Sequence, residues 1–580
     1  MKPLPIPLRP AVLVLLIACG DSTETSATNS SAALASEADP STSTASSIPT
    51  TTAPTTSDGT ATGGSGGASA TTTVGVGDSG TTSDETSTTS TAGASASSTT
   101  SAGASASASS TTSVGDSASA SSTTSAGDSD STSSTTSAGD SADASSGTTG
   151  DDGLDEAIYV HAGYGLDVNP GTRKLPKLTI QAGIDTAVTQ EVAKVYIAEG
   201  TYVVDAQNNQ FVTLADGVSL FGGFKATDWD IRLPASYPSV LVSNSVSGGS
   251  APSPRRALDG GLGVGSDTVV DGMTIRAGGG MGSISAAVVV KKSAPTFVGN
   301  IIEGIADPSY NAYAVFLVDA APTFEDNKIR AGKASMYSIG MLLSTQSGAQ
   351  LAGNTIESGQ SDYQSIALYI DGASAPHVAG NTIRGGTGKS SLGFRIQDSA
   401  PKVYNNVIDG GSGSDNATGL GLIDSAPSIA GNTIVTAMSA ANIGISMNAF
   451  SAPQIDGNLI TAAATCLALQ GPLIEVESLR NNDLTCLTAL RYDGKEYSDL
   501  ATIEAILKAQ STVVGNNVQL KPSFLNAPGG DYHLKGASAN FCGLTHGGLD
   551  LSMLFTTDRD SVARTPPWSI GAFEFDGPCK

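Results

Sequence analysis

The chain has 580 residues, of which 54 are acidic and 29 are basic, so its formal net charge at pH 7 is −25. Fifteen of the acidic residues precede residue 153, which leaves 39 acidic against 27 basic residues, a net charge of −12, in residues 153 to 580. A surface this acidic repels phosphate backbones and anionic lipid headgroups, so we expect no nucleic-acid partner.

The first 19 residues have the pattern of a secretory signal. Lys2 and Arg9 precede an apolar run over residues 11–18, and this run is too short to span a bilayer as a helix. The run ends in LIAC, which resembles a bacterial lipobox. This resemblance implies that Cys19 becomes the lipidated N-terminus of an exported protein, anchored to the bacterial cell envelope at the outer membrane or cell surface. The alternative is an ordinary signal peptide that contains a cysteine.

Residues 20–152 are built from Ser, Thr, Ala, Gly and Asp, with almost nothing to bury. The heptapeptides SSTTSAG and SSTTSVG recur within this region as low-complexity sequence. Such a composition cannot offset its ordering entropy, so we predict a disordered tether. A flexible coil of roughly 130 residues reaches on the order of 60 Å, which would hold the folded part away from a membrane.

Residues 157–232 alternate strand and helix signals. The segments AIYVHAG, KVYIAEGTYVV and GVSLFGGF predict strands, and apolar residues at helical spacing over 178–188 predict a helix. A helix at this place would cover the exposed end of the repeats that follow. On it, Gln181 and Asp185 are expected to be solvated rather than catalytic.

One short phrase recurs between residues 294 and 460: APTFVGNII, APTFEDNKI, AQLAGNTI, APHVAGNTI, APKVYNNVI, APSIAGNTI and APQIDGNLI. Its closing apolar residue, with one earlier copy, returns every 25 to 27 residues at Ile275, Ile302, Ile329, Ile356, Ile383, Ile408, Ile434 and Ile460. A fixed period of this size indicates a solenoid, in which each repeat buries its apolar face against its neighbours. Each copy holds short runs rich in β-branched and apolar residues and has no room for a ten-residue helix, so the coils are predicted to be β.

Two more columns accompany the isoleucines. A second apolar column is formed by Phe297, Phe324, Leu351, Val378, Val403, Ile429 and Ile455. Between the two apolar columns lie Asn300, Asn327, Asn354, Asn381, Asn406, Asn432 and Asn458, with Met273 in the first copy. Because both apolar columns must face inward, the asparagine marks a corner. Asn tolerates the left-handed backbone that a tight bend needs, and its side-chain amide can bond to the Asn of the next coil, so we predict an asparagine ladder.

The period, the asparagine column and the apolar spacing resemble right-handed parallel β-helix proteins, the pectin-lyase-like superfamily. The resemblance implies an all-β, right-handed parallel β-helix solenoid with a short N-terminal capping helix, preceded by the disordered tether. The order of strand, NPGT turn, TIQ-containing helix and AEGTY resembles the N-terminal part of many exported β-helix proteins, including a bacterial domain family with no assigned activity. PSFLNAPGGDYHLKGAS and SIGAFEF resemble their closing segment, although Ser538 and Ser569 replace its Pro and Asp. In that context His533 is expected to be structural.

These signals divide the chain into five regions. They are the signal peptide at 1–19, the tether at 20–152, the N-terminal cap and first coils at 153–261, the repeat core at 262–490 and the closing segment at 491–580. Within the last, residues 481–484 are a candidate for one more corner, and residues 500–509 predict a short helix.

Four cysteines remain outside the lipid site: Cys466, Cys486, Cys542 and Cys579. In an exported protein an even number suggests two disulfides. Order along the chain favours Cys466 with Cys486 and Cys542 with Cys579, but the sequence allows three pairings. No cysteine pair has a histidine at the spacing of a zinc site.

Stacking turns the sequence period into rows of neighbours about 4.8 Å apart. The residue after each inward isoleucine must face outward, and this column alternates in charge: Arg276, Glu303, Arg330, Glu357, Arg384 and Asp409. Opposite charges at this spacing predict a ladder of ion pairs, each worth roughly 0.2 to 1 kcal/mol. Pectate-lyase-type enzymes use an arginine base and acidic residues that hold calcium, so a catalytic interpretation exists. The regular alternation favours a structural role.

A second outward column lies on the strand before each Ala-Pro: Phe316, Leu342, Tyr369, Arg395, Gly421 and Ser446. Exposed rings beside an arginine suit the apolar faces and hydroxyls of sugars, so Phe316, Tyr369 and Arg395 are candidate glycan-binding residues. The alternative is that N-terminal loops, or an insert over residues 306–313, cover Phe316 and Tyr369.

Four aspartates, Asp319, Asp371, Asp398 and Asp424, end that same strand. Two stacked carboxylates with backbone carbonyls could supply a weak calcium site, although Asp at such a position more often caps a turn. Apart from this calcium alternative, no cofactor is expected.

The sequence contains no recognisable pair of carboxylates with a general acid, no Ser-His-Asp set and no phosphate-cradling glycine loop. The favoured hypothesis is therefore a non-catalytic, surface-anchored β-helix lipoprotein, monomeric, which binds extracellular glycans or acts as a spacer. The alternative is a polysaccharide lyase or glycoside hydrolase of the β-helix superfamily. Its catalytic residues would be Arg395 or the row that contains Arg330 and Arg384.

Overall fold

The structure, a computed structural model, describes residues 157–578 apart from 206–207, 245–253, 279–283, 305–308, 437–440, 462–463, 472, 537–541 and 576. It confirms the predicted all-β parallel β-helix. Three sheets of 14, 11 and 12 strands, here called sheets A, B and C, run the length of the solenoid, and each coil contributes one strand to each sheet in turn. The predicted Cys19 anchor and the tether lie outside the described residues.

Almost all strand pairs within the three sheets are parallel. Sheet A comprises Ile158–Val160, Lys194–Ala198, Ser219–Lys225, Asp228–Arg232, Val269–Asp271, Thr296–Val298, Thr323–Glu325, Gln350–Ala352, His377–Ala379, Lys402–Tyr404, Ser428–Ala430, Gln454–Asp456, Ser478–Arg480 and Val513–Gly515. Sheet B comprises Gly200–Val204, Ser239–Ser243, Met273–Ala277, Ile301–Gly304, Lys328–Arg330, Thr355–Glu357, Thr382–Arg384, Val407–Asp409, Thr433–Val435, Leu459–Thr461 and Asp483–Leu484. Sheet C comprises Val212–Thr213, Arg255–Asp259, Ile284–Lys291, Ser309–Val318, Ala334–Ser344, Gln364–Ile370, Thr387–Gln397, Ser412–Ile423, Ile443–Asn448, Thr465–Gln470, Thr488–Tyr492 and Lys495–Tyr497.

The two predicted apolar columns fill the core. The isoleucine column lies in sheet B and the second column in sheet A, and the members of both are almost completely buried. Phe297 and Phe324 stack with ring centroids 4.6 Å apart and planes 6° apart, as identical positions on neighbouring coils should. One continuous apolar core therefore runs through the stacked coils.

The asparagines form a buried ladder at the corner between sheets A and B. Asn327 donates from Nδ2 to Oδ1 of Asn354 at 3.0 Å and to the backbone carbonyl of Phe297 at 2.9 Å, and its backbone N–H donates to the same Oδ1 at 3.0 Å. The pattern repeats from Asn300 onward and continues through Asn482 to Asn517. Each buried amide is thus satisfied by its neighbours, which is what a polar group in a core requires.

The expected backbone role of these asparagines was wrong. The left-handed residue is the one before the ladder asparagine, at Gly299 (φ 60°), Asp326 (φ 53°), Asn405 (φ 54°) and Asn481 (φ 53°). The bend therefore falls one residue earlier, where glycine, Asp and Asn tolerate positive φ. The ladder position contributes its side-chain amide instead.

A second ladder, of serines, occupies the corner between sheets C and A. The backbone N–H of Ser347 donates to Oγ of Ser374 at 3.0 Å, and that of Ser374 donates to Oγ of Ser399 at 3.2 Å. The sequence carried a signal for it, since a serine stands two residues before the proline in most copies.

Helix α1, Ile180–Gln190, covers the N-terminal end, two residues later than predicted. Thr179 caps it by accepting from the backbone N–H of Ala182 at 3.2 Å. Ile180, Ile184 and Ala187 join the central core, so the helix closes the apolar face of the first coils.

The closing segment consists of two structurally different parts. Helix α2, Leu500–Lys508, caps the far end of the core through Ile503 and Leu507. Beyond it, a hairpin of Phe524–Asn526 and Asp531–Leu534, a short helix α3 at Cys542–Thr545 and the following loops pack on the outside of sheets A and B. We call residues 524–575, apart from 537–541, the outer segment.

The described cysteines are bridged. Cys466 and Cys486 form a disulfide with an S–S distance of 2.00 Å and Cα atoms 5.6 Å apart. Cys542 is also disulfide-bonded, whereas Cys579 lies outside the described residues.

Candidate functional site

The outward column of sheet C is in register. Phe316 pairs with Leu342, Leu342 with Tyr369, Tyr369 with Arg395, and Arg395 with Gly421. The sequence period therefore placed these side chains on one face, with Tyr369 and Arg395 as direct neighbours. Phe316 lies two strands from Tyr369.

A second outward column, missed by the sequence analysis, lies three residues earlier on the same strands. Tyr313 pairs with Ile339, Ile339 with Ile366, and Ile366 with Leu392. A small residue follows each member of this second column. At Gly340, for example, a Cβ would lie 2.5 Å from the carbonyl oxygen of Ala367 on the next strand. The apolar side chains of the two columns pack into a satellite cluster outside the main core.

Aromatic side chains dominate this surface. Tyr313 and Phe316 have ring centroids 5.6 Å apart, and Tyr337 and Tyr363 meet edge to face at 5.6 Å. Burial raises the pKa of Tyr313 to about 12, so it stays a neutral hydrogen-bonding phenol at any physiological pH. We call the surface formed by Tyr313, Phe316, Tyr337, Leu342, Tyr363, Tyr369 and Arg395 the aromatic face.

Arg395 is held in place by neutral groups. Its Nη1 donates to Oε1 of Gln364 at 3.4 Å and its Nη2 donates to Oε1 of Gln397 at 3.1 Å. The hydroxyl of Tyr369 donates to the same Gln397 oxygen at 3.0 Å, and the guanidinium carbon of Arg395 lies 5.0 Å from the centroid of the Tyr369 ring. The arrangement fixes the orientation of both residues and presents amide and guanidinium hydrogens beside aromatic rings.

The four aspartates at the end of the strand do not share one environment. Asp319, Asp398 and Asp424 have left-handed backbones with φ of 50°, 48° and 49°, as turn residues do. Asp371 does not, and burial raises the pKa of its carboxyl, with the charge of Asp398 adding to the effect. Among the described residues, no group of three or more His, Cys, Asp or Glu side chains is placed to hold a metal ion.

The part of the expected insert that the structure describes belongs to sheet C. Ser309–Tyr313 belong to the strand Ser309–Val318 and extend sheet C, while residues 305–308 lie outside the described part of the chain. Tyr313 is itself a member of the aromatic face. Residues 309–313 thus continue the strand, and Tyr313 packs beside Phe316 on the same face.

The alternating charges on sheet B pair with each other. Arg276 lies 3.0 Å from Glu303, and Arg384 lies 3.2 Å from Glu357 and 3.5 Å from Asp409. The outer segment packs beside the end of this row, where Arg384, Asp409 and Tyr532 line a cavity of about 540 Å³. Because Arg384 is shared by two carboxylates, the row is neutralised internally.

The histidines take no part in a recognisable catalytic set within the described structure. His533 lies between Asp531 at 2.7 Å and Asp560 at 3.1 Å, with its ring 4.0 Å from that of Phe573. These contacts hold the outer segment together. Gln181 and Asp185 bond to each other at 2.9 Å on the exposed side of α1.

No helix in the described part of the chain combines the length and the apolarity needed to cross a bilayer. No protein-family model and no curated protein sequence matches the chain.

Among solved structures, the chain is similar to the A-module of mannuronan C-5 epimerase AlgE6 from Azotobacter vinelandii, at 15% identity over 59% of this chain and 95% of that one, with a TM-score of 0.34. It is also similar to pectate lyase Pel9A, at 12% identity over 72% and 96% of the two chains and a TM-score of 0.36. A third is the catalytic domain of a GH87 alpha-1,3-glucanase in complex with nigerose, at 11% identity over 57% and 59% and a TM-score of 0.25. These values are too low to transfer a residue or an activity to this chain.

Proposed function

We propose that this chain is a non-catalytic, surface-anchored β-helix lipoprotein that binds extracellular glycans on the aromatic face. The observation that supports the proposal most directly is the stacking of Phe316, Leu342, Tyr369 and Arg395 in one outward column on consecutive coils. A row of this kind repeats along the solenoid axis, as the sugar units of a glycan repeat along the chain.

The chemistry of the face suits a sugar. The C–H faces of a pyranose ring are apolar and pack on aromatic rings, while its hydroxyls need donors and acceptors at the rim. Here Phe316 and Leu342 supply apolar surface, and Arg395 with Gln364 and Gln397 supplies the polar groups. Tyr363, 48% exposed, extends the rings toward solvent.

The N-terminal part of the proposal rests on sequence alone. The lipobox would anchor Cys19 in the cell envelope, and a tether of roughly 130 residues would hold the solenoid on the order of 60 Å away. A spacer without a ligand is the version of this hypothesis that needs only these features. Mass spectrometry of the mature N-terminus tests the anchor. We expect an acylated Cys19 in the wild type and no acylation in Cys19→Ser.

A glycan array probed with the full-length chain in detergent tests the binding function. We expect specific binding to at least one glycan class, and at least a tenfold loss in the double variant Phe316→Ala/Tyr369→Ala. Tyr164→Ala is the control, because Tyr164 is an aromatic residue outside the aromatic face, 51% exposed, on the turn after the first strand. An array without any specific hit, or equal losses in both variants, would contradict the proposal.

The same samples test the enzymatic alternative. Each bound glycan is incubated with the chain, with and without calcium, and assayed for unsaturated products and new reducing ends. Product formation that disappears in Arg395→Ala would replace a binding function by a lyase or hydrolase activity.

A further inference from the structure

The charges around Arg395 determine which kind of glycan the aromatic face favours. Arg395 lies beside two carboxylates, Asp371 and Asp398. The charge of Arg395 lowers the pKa of Asp371, while that of Asp398 raises it, so the three groups share one electrostatic environment. All three also act on the pKa of Tyr369, which burial raises. This part of the face therefore holds one guanidinium and two carboxyl groups.

The cation is already engaged. Gln364 and Gln397 each direct Oε1 toward the guanidinium of Arg395, and Gln397 also accepts from Tyr369. With their oxygens used in this way, the two side-chain amides keep their Nε2 hydrogens as donors. Neutral amide donors suit hydroxyl and ring oxygens, and they offer a carboxylate less than a free guanidinium fork would.

Two polar atoms at this place lack a partner among the described residues. They are Nε of Arg395, a donor, and Oδ1 of Asp371, an acceptor, and neighbouring side chains shield both from water. Unpaired buried polar atoms are costly, so a ligand group that reaches them after a side-chain adjustment gains affinity. A hydroxyl can accept from a donor such as Nε or donate to an acceptor such as Oδ1. A carboxylate can only accept, and it meets the charge of Asp371.

We propose that the aromatic face selects an uncharged, hydroxyl-rich glycan and discriminates against polymers of uronic acids. The inference rests on the proposed glycan-binding function and names the ligand class of that site. The long-range field acts in the same direction, because residues 153 to 580 carry a net charge of −12 and repel a polyanion at low ionic strength.

Pairs of polymers that differ only in charge test the inference. Each pair consists of a polyuronate and its carboxyl-reduced form, which have the same linkages: polygalacturonate, polymannuronate and polyglucuronate with their neutral counterparts. Affinity of the full-length chain is measured at low and high salt. We expect the neutral member of at least one pair to bind tenfold or more tightly than its uronate, with the gap narrowing as salt is added.

The outcomes separate the two proposals. A uronate that binds as well as or better than its neutral form in every pair that binds would overturn the ligand class and leave the glycan-binding function standing. If neither member of any pair binds and the glycan array shows no specific hit, both proposals fail. If neither member of any pair binds although the array finds a glycan, the charge of that glycan decides: an anionic hit overturns the inference and a neutral hit supports it.

A charge-removing variant sharpens the test at the residues themselves. In Asp371→Asn/Asp398→Asn we expect uronate binding to strengthen at least fivefold, while binding of the neutral member changes less than twofold. Asp424→Asn is the matched control, because Asp424 occupies the same left-handed turn as Asp398 one coil further on, and Asn tolerates that backbone. Unchanged uronate binding in the double variant, or an equal gain in the control, would contradict the inference.

Discussion

The outer faces of sheets B and C are built on the same coils, yet their side chains are partnered in different ways. On sheet B, Arg384 contacts Glu357 at 3.2 Å and Asp409 at 3.5 Å, so these charges form ion pairs within the row. On sheet C, the register neighbours of Arg395 are Tyr369 and Gly421, and its guanidinium donates to the amide oxygens of Gln364 and Gln397. A row whose charges pair with each other stabilises the fold, whereas a row with unpaired polar groups is available to a ligand.

The two faces also differ in what covers them. The outer segment packs against the end of sheet B, where Tyr532, Ala572 and Phe573 meet Val407 and Val435. The aromatic face has no such cover among the described residues. The same solenoid therefore presents one face that the outer segment closes and one that stays half-buried, with Tyr363 exposed.

The scaffold shared by both faces depends on the asparagine ladder, and breaking the ladder should have the largest effect. In Asn381→Leu, the backbone N–H and Nδ2 of Asn354 lose their acceptor, and the carbonyl of Leu351 loses a donor. Because each unsatisfied buried group costs about 1 to 3 kcal/mol, we expect a loss of roughly 5 kcal/mol. Urea unfolding measures it. Asn416→Ala, on the partly exposed face of sheet C, should cost far less, and equal losses would show that the ladder has no special role.

The cover of sheet B depends on a buried carboxyl at the point where the chain leaves the solenoid. Oδ1 of Asp483 accepts from the backbone N–H of Leu520 at 2.9 Å and from the hydroxyl of Thr485 at 2.7 Å. Burial raises the pKa of Asp483 to about 7 from its ordinary value of 3.8. The folded state therefore holds this proton more tightly than the unfolded state does.

Stability from Asp483 is thus fully present below about pH 4 and is lost as the pH rises through about 7, by up to about 4 kcal/mol. We expect the free energy of unfolding of the wild type to fall between pH 4 and pH 7 relative to that of Asp483→Asn. Urea titrations of both proteins across this range measure the difference. A difference that stays constant with pH would contradict the assignment.

The sequence predicted the structural features that recur with the period, and few of the features that occur only once. The isoleucine column, the asparagine ladder and the register of Phe316 with Tyr369 and Arg395 follow from a fixed spacing, because stacking turns spacing into contact. The docking of the outer segment does not follow from a fixed spacing. It depends on contacts such as that between Nη2 of Arg564 and Oδ1 of Asn405, 3.0 Å apart and 159 residues apart in sequence.

Asn405 shows how a single-copy contact is hidden inside a periodic one. At its corner position most coils have glycine, which fits the positive φ, but Asn405 also donates from Nδ2 to the carbonyl of Thr557 at 2.8 Å. Asn481 occupies the same corner position and donates to the carbonyl of Gly547 at 2.9 Å. Both asparagines therefore bond to the outer segment, which the sequence period alone does not reveal.

Giving Arg395 a carboxylate neighbour in register should make sheet C resemble sheet B. Gly421 is its neighbour in register, and a Cβ there would meet only the flexible side chain of Leu392 at 3.2 Å and a carbonyl oxygen at 3.9 Å. In Gly421→Glu we expect an ion pair with Arg395, a change in stability within about 1 kcal/mol and at least a tenfold loss of glycan affinity. Gly421→Gln has the same size without the charge and should lose less. Equal losses would assign the effect to bulk rather than to pairing.

The converse change on sheet B should have the smallest effect. Arg384→Gln removes the cation that Glu357 and Asp409 share, and it leaves Glu357 with only its 4.0 Å contact to Arg330. Because these side chains are about one third exposed, we expect a loss of roughly 1 kcal/mol at low salt that shrinks in 1 M salt, where screening acts within about 3 Å. Arg330→Gln removes a single contact of 4.0 Å and should cost less. Glycan affinity should stay unchanged in both variants, since sheet B is not the binding face. A binding loss in Arg384→Gln that matches the loss in Gly421→Glu would instead place ligand contacts on the paired row, and the distinction between a self-satisfied face and an available one would no longer hold.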